Sequence, residues 1–321
     1  MNRKFLFILL VILVVIVGVA LMLKRRSAET EHVVRVGYAP IIGTLPVYVA
    51  EENRLFEQAG VKAEFVQLQS ANQLMEGLVR GDLDLVPFGG FVPVMNVELA
   101  DPGKVKIFAG SRLTQEEPFD SLLVLKESPV QKLSDLKSKK VGVFPGSTAT
   151  NFLKRYLSTK GVATETVEIV QLPAANQLSA LYSGSVDALL AFEPNITIPL
   201  EEGKVRKLIS ESVYFETFNN SPQGVGLIST KFVNEQPELA KKSVDAMNQA
   251  YAFMKDQNAV ARQIAERRFG IPKAVAEKVG LTFMYGLDTL DKTMIEKYAD
   301  TLVNLGELKQ KPDLSKIFYQ P

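Results

Sequence analysis

Apolar and polar positions follow several distinct rhythms along this chain, and each rhythm predicts an element. Phe5 to Leu23 form 19 consecutive apolar positions without a charge, enough for a helix across a bilayer core, which takes ~20 residues. A cleaved signal peptide has a shorter apolar run of ~7–15 residues ending in a small-residue cleavage site. Here the run ends in Lys24-Arg25-Arg26 without such a site. An uncleaved N-terminal membrane anchor over residues 1–26 is therefore expected, followed by a polar linker over 27–32. Basic residues flank the run on both sides, so the positive-inside rule leaves its orientation undecided.

Beyond the linker the rhythm changes to short strands and helices. Val33 to Tyr38 reads as a buried strand and Ala39 to Leu45 as a loop. Pro46 suits the first turn of a helix, and Gly60 closes that helical region. Ala63 to Leu68 alternates as a strand does. Ser70 with Gln73 has the capping-box pattern at the start of a helix that stops at Gly81. Leu83 to Phe88 reads as another strand. Strand-helix alternation with short connections implies a parallel α/β sheet.

The same order then recurs. Residues 67–74 read QLQSANQL and residues 171–178 read QLPAANQL, six identities in eight positions. GDLDLV at 81–86 matches GSVDAL at 184–189, and Val36-Gly37 and Pro40 match Val141-Gly142 and Pro145. Two related α/β units are expected. After the second, the pattern turns helical: 237–256, 259–269, 273–284 and 289–305 read as amphipathic helices covering a sheet.

Composition removes whole classes of chemistry. The 321 residues include no cysteine and one histidine, His32. Thiol catalysis, thiolate metal sites, disulfides and a lipid-modified cysteine are excluded. A Ser-His-Asp triad would have to recruit His32 from the linker. Residues 1–26 carry five Lys and Arg and no acidic residue, so the remainder holds 32 basic against 36 acidic. Such a mildly acidic domain argues against a nucleic-acid partner. No phosphate loop, dinucleotide fingerprint, nucleophile elbow or zinc-protease motif occurs. The paired carboxylates Glu51-Glu52, Glu116-Glu117 and Glu201-Glu202 are adjacent in sequence, so they do not face each other on a helix.

Several loops where a strand gives way to a helix suit a small ligand instead. They are the segment holding Gly43, Thr44 and Leu45, the pair Gly89-Gly90, and Gly146-Ser147-Thr148. Glycine permits close backbone approach, and helix starts attract anions. Ser147 or Thr148 serves equally well as a plain N-cap. Phe192-Glu193 follows a further strand, where Glu193 either faces the cleft or forms a surface salt bridge. Arg112 follows the strand Val105–Ala109; it either clamps an anion or solvates a crossover.

These residues together resemble the solute-binding proteins of ABC importers, in the nitrate/sulfonate/taurine and thiamine-pyrimidine-precursor group. The resemblance rests on VRVGYAPIIGTLPVYVAEENRLFEQAGV at 34–61, Gly81-Asp82-Leu83-Asp84, LSDLKSKKVGVFPGSTATNFLKRYL at 133–157, GSVDALLAFEP at 184–194 and LVNLGELKQKPDLSKIF near the C-terminus. It implies a two-lobed type II periplasmic-binding-protein-like α/β fold, preceded here by one N-terminal transmembrane helix. The expected division is 33–112 for the first part of lobe 1, 113–215 for lobe 2, and 216–321 for the return to lobe 1 with the C-terminal helices. It further implies capture of a small polar or anionic organic solute in the inter-lobe cleft and delivery to an ABC permease with its ATPase. The soluble domain is expected to be monomeric and extracytoplasmic, without cofactor or metal. In the sulfonate/taurine branch the last motif reads aromatic-Asp-Pro after a tryptophan, whereas this chain has Phe192-Glu193-Pro194 and no tryptophan. Pyrimidine-synthase-like and menaquinone-pathway enzymes share the fold and supply the alternative, an enzyme acting on a small metabolite.

Overall fold

Eleven strands and eight helices of eight residues or more are found in the computed structural model, which describes residues 32–111, 120–217, 224–290, 292–304, 306 and 308–321. The expected membrane helix and Arg112 lie outside the described residues. Among those residues no helix is long and apolar enough to cross a membrane. The strands are β1 (Val34–Tyr38), β2 (Ala63–Gln67), β3 (Leu85–Gly89), β4 (Val105–Ser111), β5 (Asp120–Leu125), β6 (Lys140–Val143), β7 (Glu168–Gln171), β8 (Ala188–Phe192), β9 (Val205–Lys207), β10 (Val225–Ser229) and β11 (Met284–Gly286). The longer helices are α1 (Leu45–Glu52), α2 (Ala71–Arg80), α3 (Phe91–Ala100), α4 (Ser147–Thr159), α5 (Ala174–Tyr182), α6 (Pro237–Asp256), α7 (Asn258–Phe269) and α8 (Lys292–Asn304).

Two mixed sheets result. One has the order β11-β4-β10-β3-β1-β2 and the other β7-β6-β8-β5-β9. In the first, β1 lies parallel between β2 and β3, and β10 runs antiparallel to both β3 and β4. In the second, β6 lies parallel between β7 and β8, and β5 runs antiparallel to both β8 and β9. The sequence repeat therefore has a geometric counterpart: β2-β1-β3 and β7-β6-β8 share order and direction. In each sheet an antiparallel strand then separates this trio from the next strand. That strand is β10 in the first sheet and β5 in the second, each the second strand in the chain after the last parallel strand of the other sheet.

The GDLD and GSVD segments have a structural role that explains their recurrence. Gly81 and Gly184 take the left-handed conformation, with φ of 79° and 73°, at the ends of α2 and α5. Only glycine adopts it without strain. Asp84 then accepts the Arg35 backbone N–H at 2.8 Å and the Arg35 guanidinium at 3.1–3.2 Å. Asp187 accepts the Lys140 backbone N–H at 2.9 Å. Each aspartate pins the start of its unit's first strand. Ser70 accepts the Gln73 N–H at 3.2 Å as expected of a cap, but Gln73 reaches back to the Gln69 N–H rather than to that of Ser70.

Strands β3, β8 and β10 are buried at every residue, as strands covered on both faces must be. Helix α6 has the expected bounds and buries Ala240, Val244, Met247, Tyr251 and Met254 on one side. The helix expected over 273–284 does not form. A single turn, Lys273–Ala276, is followed by β11, because the chain after Gly280 pairs with the free edge of β4 through Met284↔Ser111 and Gly286↔Ala109. Tertiary pairing overrides the local helical pattern there.

Candidate functional site

The middle parallel strands of the two sheets, β1, β3, β6 and β8, end around one cavity. In open α/β sheets the carboxyl ends of strands form the binding crevice. Its lining comes from Ala39 and Ile41 after β1, Phe88 to Gly90 at the end of β3, Phe144 to Gly146 after β6, and Phe192 ending β8. Ala71 and Leu74 of α2, Thr148 and Ala149 of α4, and Tyr214 complete it. The cavity volume is about 50 Å³, far below the ~300–1,000 Å³ of typical ligand clefts.

Two close approaches bring the segments around β3 and β6 together. A Cβ on Gly90 would lie 2.6 Å from the Thr148 Oγ1, and one on Gly146 would lie 3.1 Å from the Cβ of Ala71. Larger residues would push these segments apart. Backbone bonds cross as well: Ala71 donates to the Pro145 carbonyl at 3.4 Å and Ile42 to the Glu193 carbonyl at 3.0 Å.

The electrostatic character of the cavity comes from its backbone. Helices α3 and α4 start at Gly90 and Gly146, and neither start has a side-chain cap. Helix starts present N–H groups lacking intrahelical acceptors, and the helix dipole favours negative charge there. Thr148 is 8% exposed, and its Oγ1 has no hydrogen-bond partner among the described residues. A buried hydroxyl left unpaired costs about 1–3 kcal/mol. The remaining walls are aromatic. Phe192 packs edge-to-face on Tyr214 at 5.5 Å and tilted against Phe144 at 6.1 Å, while Phe152 stacks behind Tyr214 at 4.1 Å.

A buried carboxylate holds this aromatic wall in place. Asp120 pairs with Phe192 across β5 and β8. Its carboxylate accepts the Ser212 hydroxyl, the Val213 N–H at 2.8 Å and the Tyr214 N–H at 3.3 Å. Burial pushes Asp120 up to about 6 despite these bonds.

Of the residues singled out in the sequence, Gly89, Gly90, Gly146, Thr148 and Phe192 line the cavity. Gly43, Thr44 and Leu45 do not. They are buried, with the Thr44 hydroxyl donating to the Ala39 and Ile41 carbonyls, each at 2.7 Å. Ser147 is not part of the lining. Glu193 is 5% exposed but turns its carboxylate to the Thr197 N–H at 3.0 Å and hydroxyl at 2.7 Å, with the Gly280 N–H at 3.5 Å. Burial pushes it above the usual carboxylate range. Phe88, Phe144 and Tyr214 were not foreseen. Phe144 adjoins the flagged Pro145, whereas Tyr214 has no local signal and reaches the cavity only through Asp120.

Sheet order and site position define the class first: this is the α/β fold of the periplasmic binding proteins. The alkanesulfonate-binding protein SsuA from Xanthomonas axonopodis pv. citri, solved bound to MOPS, superposes with a TM-score of 0.74 at 22% identity, over 90% of this chain and 98% of that one. The desulfurization enzyme DSZB superposes with a TM-score of 0.62 at 18% identity, over 89% of this chain and 96% of that one. A relative from Bacillus subtilis (strain 168), named for binding aliphatic sulfonates, is 27% identical over 239 residues, which is 73% of this chain and 69% of that one. The NMT1-like family model matches residues 27–268, and the chain belongs to the NMT1-like family.

Proposed function

We propose that this chain is the extracytoplasmic solute-binding component of an ABC importer, held at the membrane by its N-terminal apolar segment, and that its solute is a small organic anion. The observation that carries the reading is the meeting of two glycine-started helices and the unpaired Thr148 hydroxyl in one aromatic-walled cavity. Neutral N–H and O–H donors suit an anionic head group. Phe88, Phe144, Phe192 and Tyr214 suit an apolar body beside it. This combination favours an aliphatic sulfonate or a similar organic anion over nitrate, which has no apolar part to bury.

The strand membership of the two sheets supports lobes made of 33–112 with 216–321 and of 113–215. A cavity of about 50 Å³ requires the lobes to part for entry. Solute then favours the closed form by its differential affinity for that form. Membership of the NMT1-like family and the likeness to sulfonate-binding proteins support delivery to a permease and its ATPase. Glu193 acts in this reading as a clamp on the turn after β8.

The test is calorimetric titration of the full chain with alkanesulfonates of increasing length, the matching carboxylates, and nitrate. Affinity is expected to rise with chain length and to exceed that for nitrate. Nitrate binding as tightly as the organic anions would reject the reading. Mass spectrometry of the recovered solute is expected to show it unaltered; a converted product would favour an enzyme, as for the structurally similar DSZB.

A further inference from the structure

A second cavity, of about 330 Å³, lies beside β11 and shares no residue with the first. Its floor is Gly286. A Cβ built there would meet the Asp288 Oδ1 at 2.9 Å and the Asn248 Oδ1 at 3.2 Å. Two acceptor oxygens, one of them anionic, thus converge on the space over a single glycine. Asn248 Oδ1 is buried and has no hydrogen-bond partner among the described residues. No ion pair engages Asp288 or the rim residue Lys255 among those residues either. Phe283 and Tyr285 form an apolar side wall. A back wall is set by Tyr251, whose hydroxyl donates to the Pro87 carbonyl at 2.8 Å.

We infer that this cavity is a separate binding site for a small zwitterion, an ammonium-carboxylate compound of amino-acid type. The ammonium sits over Gly286, donating to Asn248 Oδ1 and Asp288. It supplies the donor that the buried amide oxygen lacks. A bare amine is disfavoured by the Lys255 ammonium at the rim, while a ligand with its own carboxylate pairs with it. The aromatic wall takes an apolar side chain. Glycine at 286 is what leaves room, because any side chain there enters the space between the two oxygens.

The probes are L-leucine and its two halves, 3-methylbutylamine and 4-methylpentanoate, titrated calorimetrically into the full chain. Leucine is expected to bind at least about tenfold tighter than either half. Gly286→Ala is expected to weaken leucine about tenfold by placing a methyl group between the oxygens. Lys255→Gln, at an exposed side chain, provides a second variant whose fold is not at risk, and it too is expected to weaken leucine. Absence of leucine binding at millimolar concentration would overturn the inference. So would equal binding by 4-methylpentanoate, or leucine affinity unchanged in both variants. None of these outcomes bears on the anion cavity, which uses other residues.

Discussion

The loops after β1 and β6 occupy matching places in the two units, yet they do different work. After β1 the chain makes a short turn, Ile42–Thr44, before α1 begins at Leu45. The Thr44 hydroxyl stays within that turn, and Ile42 donates across to Glu193. After β6 the helix begins directly at Ser147, with Gly146 as an uncapped start and the Thr148 hydroxyl unpaired. One loop has its polar groups satisfied by its own carbonyls and that of Glu193, and supports. The other holds unmet donors at the cavity. Two units with the same strand order can thus share a backbone plan while only one keeps the unsatisfied groups that a ligand needs.

The aspartates that pin the two units give the largest expected contrast. Asp84 is 3% exposed and holds both the backbone and guanidinium of Arg35. Asp84→Ala should cost about 3 kcal/mol, because it leaves the Arg35 backbone N–H unpaired and removes two charge-assisted bonds from a guanidinium that is only partly exposed. The half-exposed Asp187→Ala should cost about 1 kcal/mol. Urea unfolding of both variants measures the difference, and equal losses would mean that the units are pinned equally.

Asp120 offers a pH test specific to the second sheet. Its folded value near 6 lies above the ordinary 3.8, so the native state holds its proton more tightly than the unfolded chain does. The stability it confers is complete below about pH 4 and lost as pH rises through about 6, by up to about 3 kcal/mol. In Asp120→Asn that fall should vanish from the unfolding curve measured between those pH values.

Gly90→Val should reduce affinity for the organic anion about 100-fold. Its Cβ would meet Thr148 Oγ1 at 2.6 Å and hold the closed cavity apart. Calorimetry reads this loss, while circular dichroism should be unchanged because Gly90 has an ordinary φ of −75°. The smallest effects come from the two loop threonines. Thr148→Val should weaken the anion about tenfold and leave stability within ~0.5 kcal/mol, since no partner is stranded. Thr44→Val should do the reverse, lowering stability by about 1 kcal/mol without changing affinity. If the two valine variants behave alike, the distinction between the loops fails.

Much of this arrangement was legible in the chain because local chemistry sets it. Gly81 and Gly184 mark helix ends through their left-handed conformation. The ANQL helices and paired strand patterns revealed the duplication, and Gly89, Gly90, Gly146 and Thr148 stood out where strands give way to helices. Other assignments depended on contacts distant in sequence. Glu193 sits next to the cavity lining in sequence, but Thr197 and Gly280 draw its carboxylate away. Tyr214 enters the wall through a carboxylate 94 positions earlier. The stretch 273–284 has a helical pattern, but the open edge of β4 recruits its end as a strand.

The element order of the two repeated units, the repeat itself, the absence of thiol chemistry and the glycine-marked loops were all legible in the chain, since each depends on backbone sterics or residue type within a few positions. Which polar groups remain unpaired depends on long-range packing. Hydrogen-bond satisfaction is a property of the whole packed chain, and whether Thr44, Thr148, Glu193 or Asn248 finds a partner depends on which distant segment lies against it.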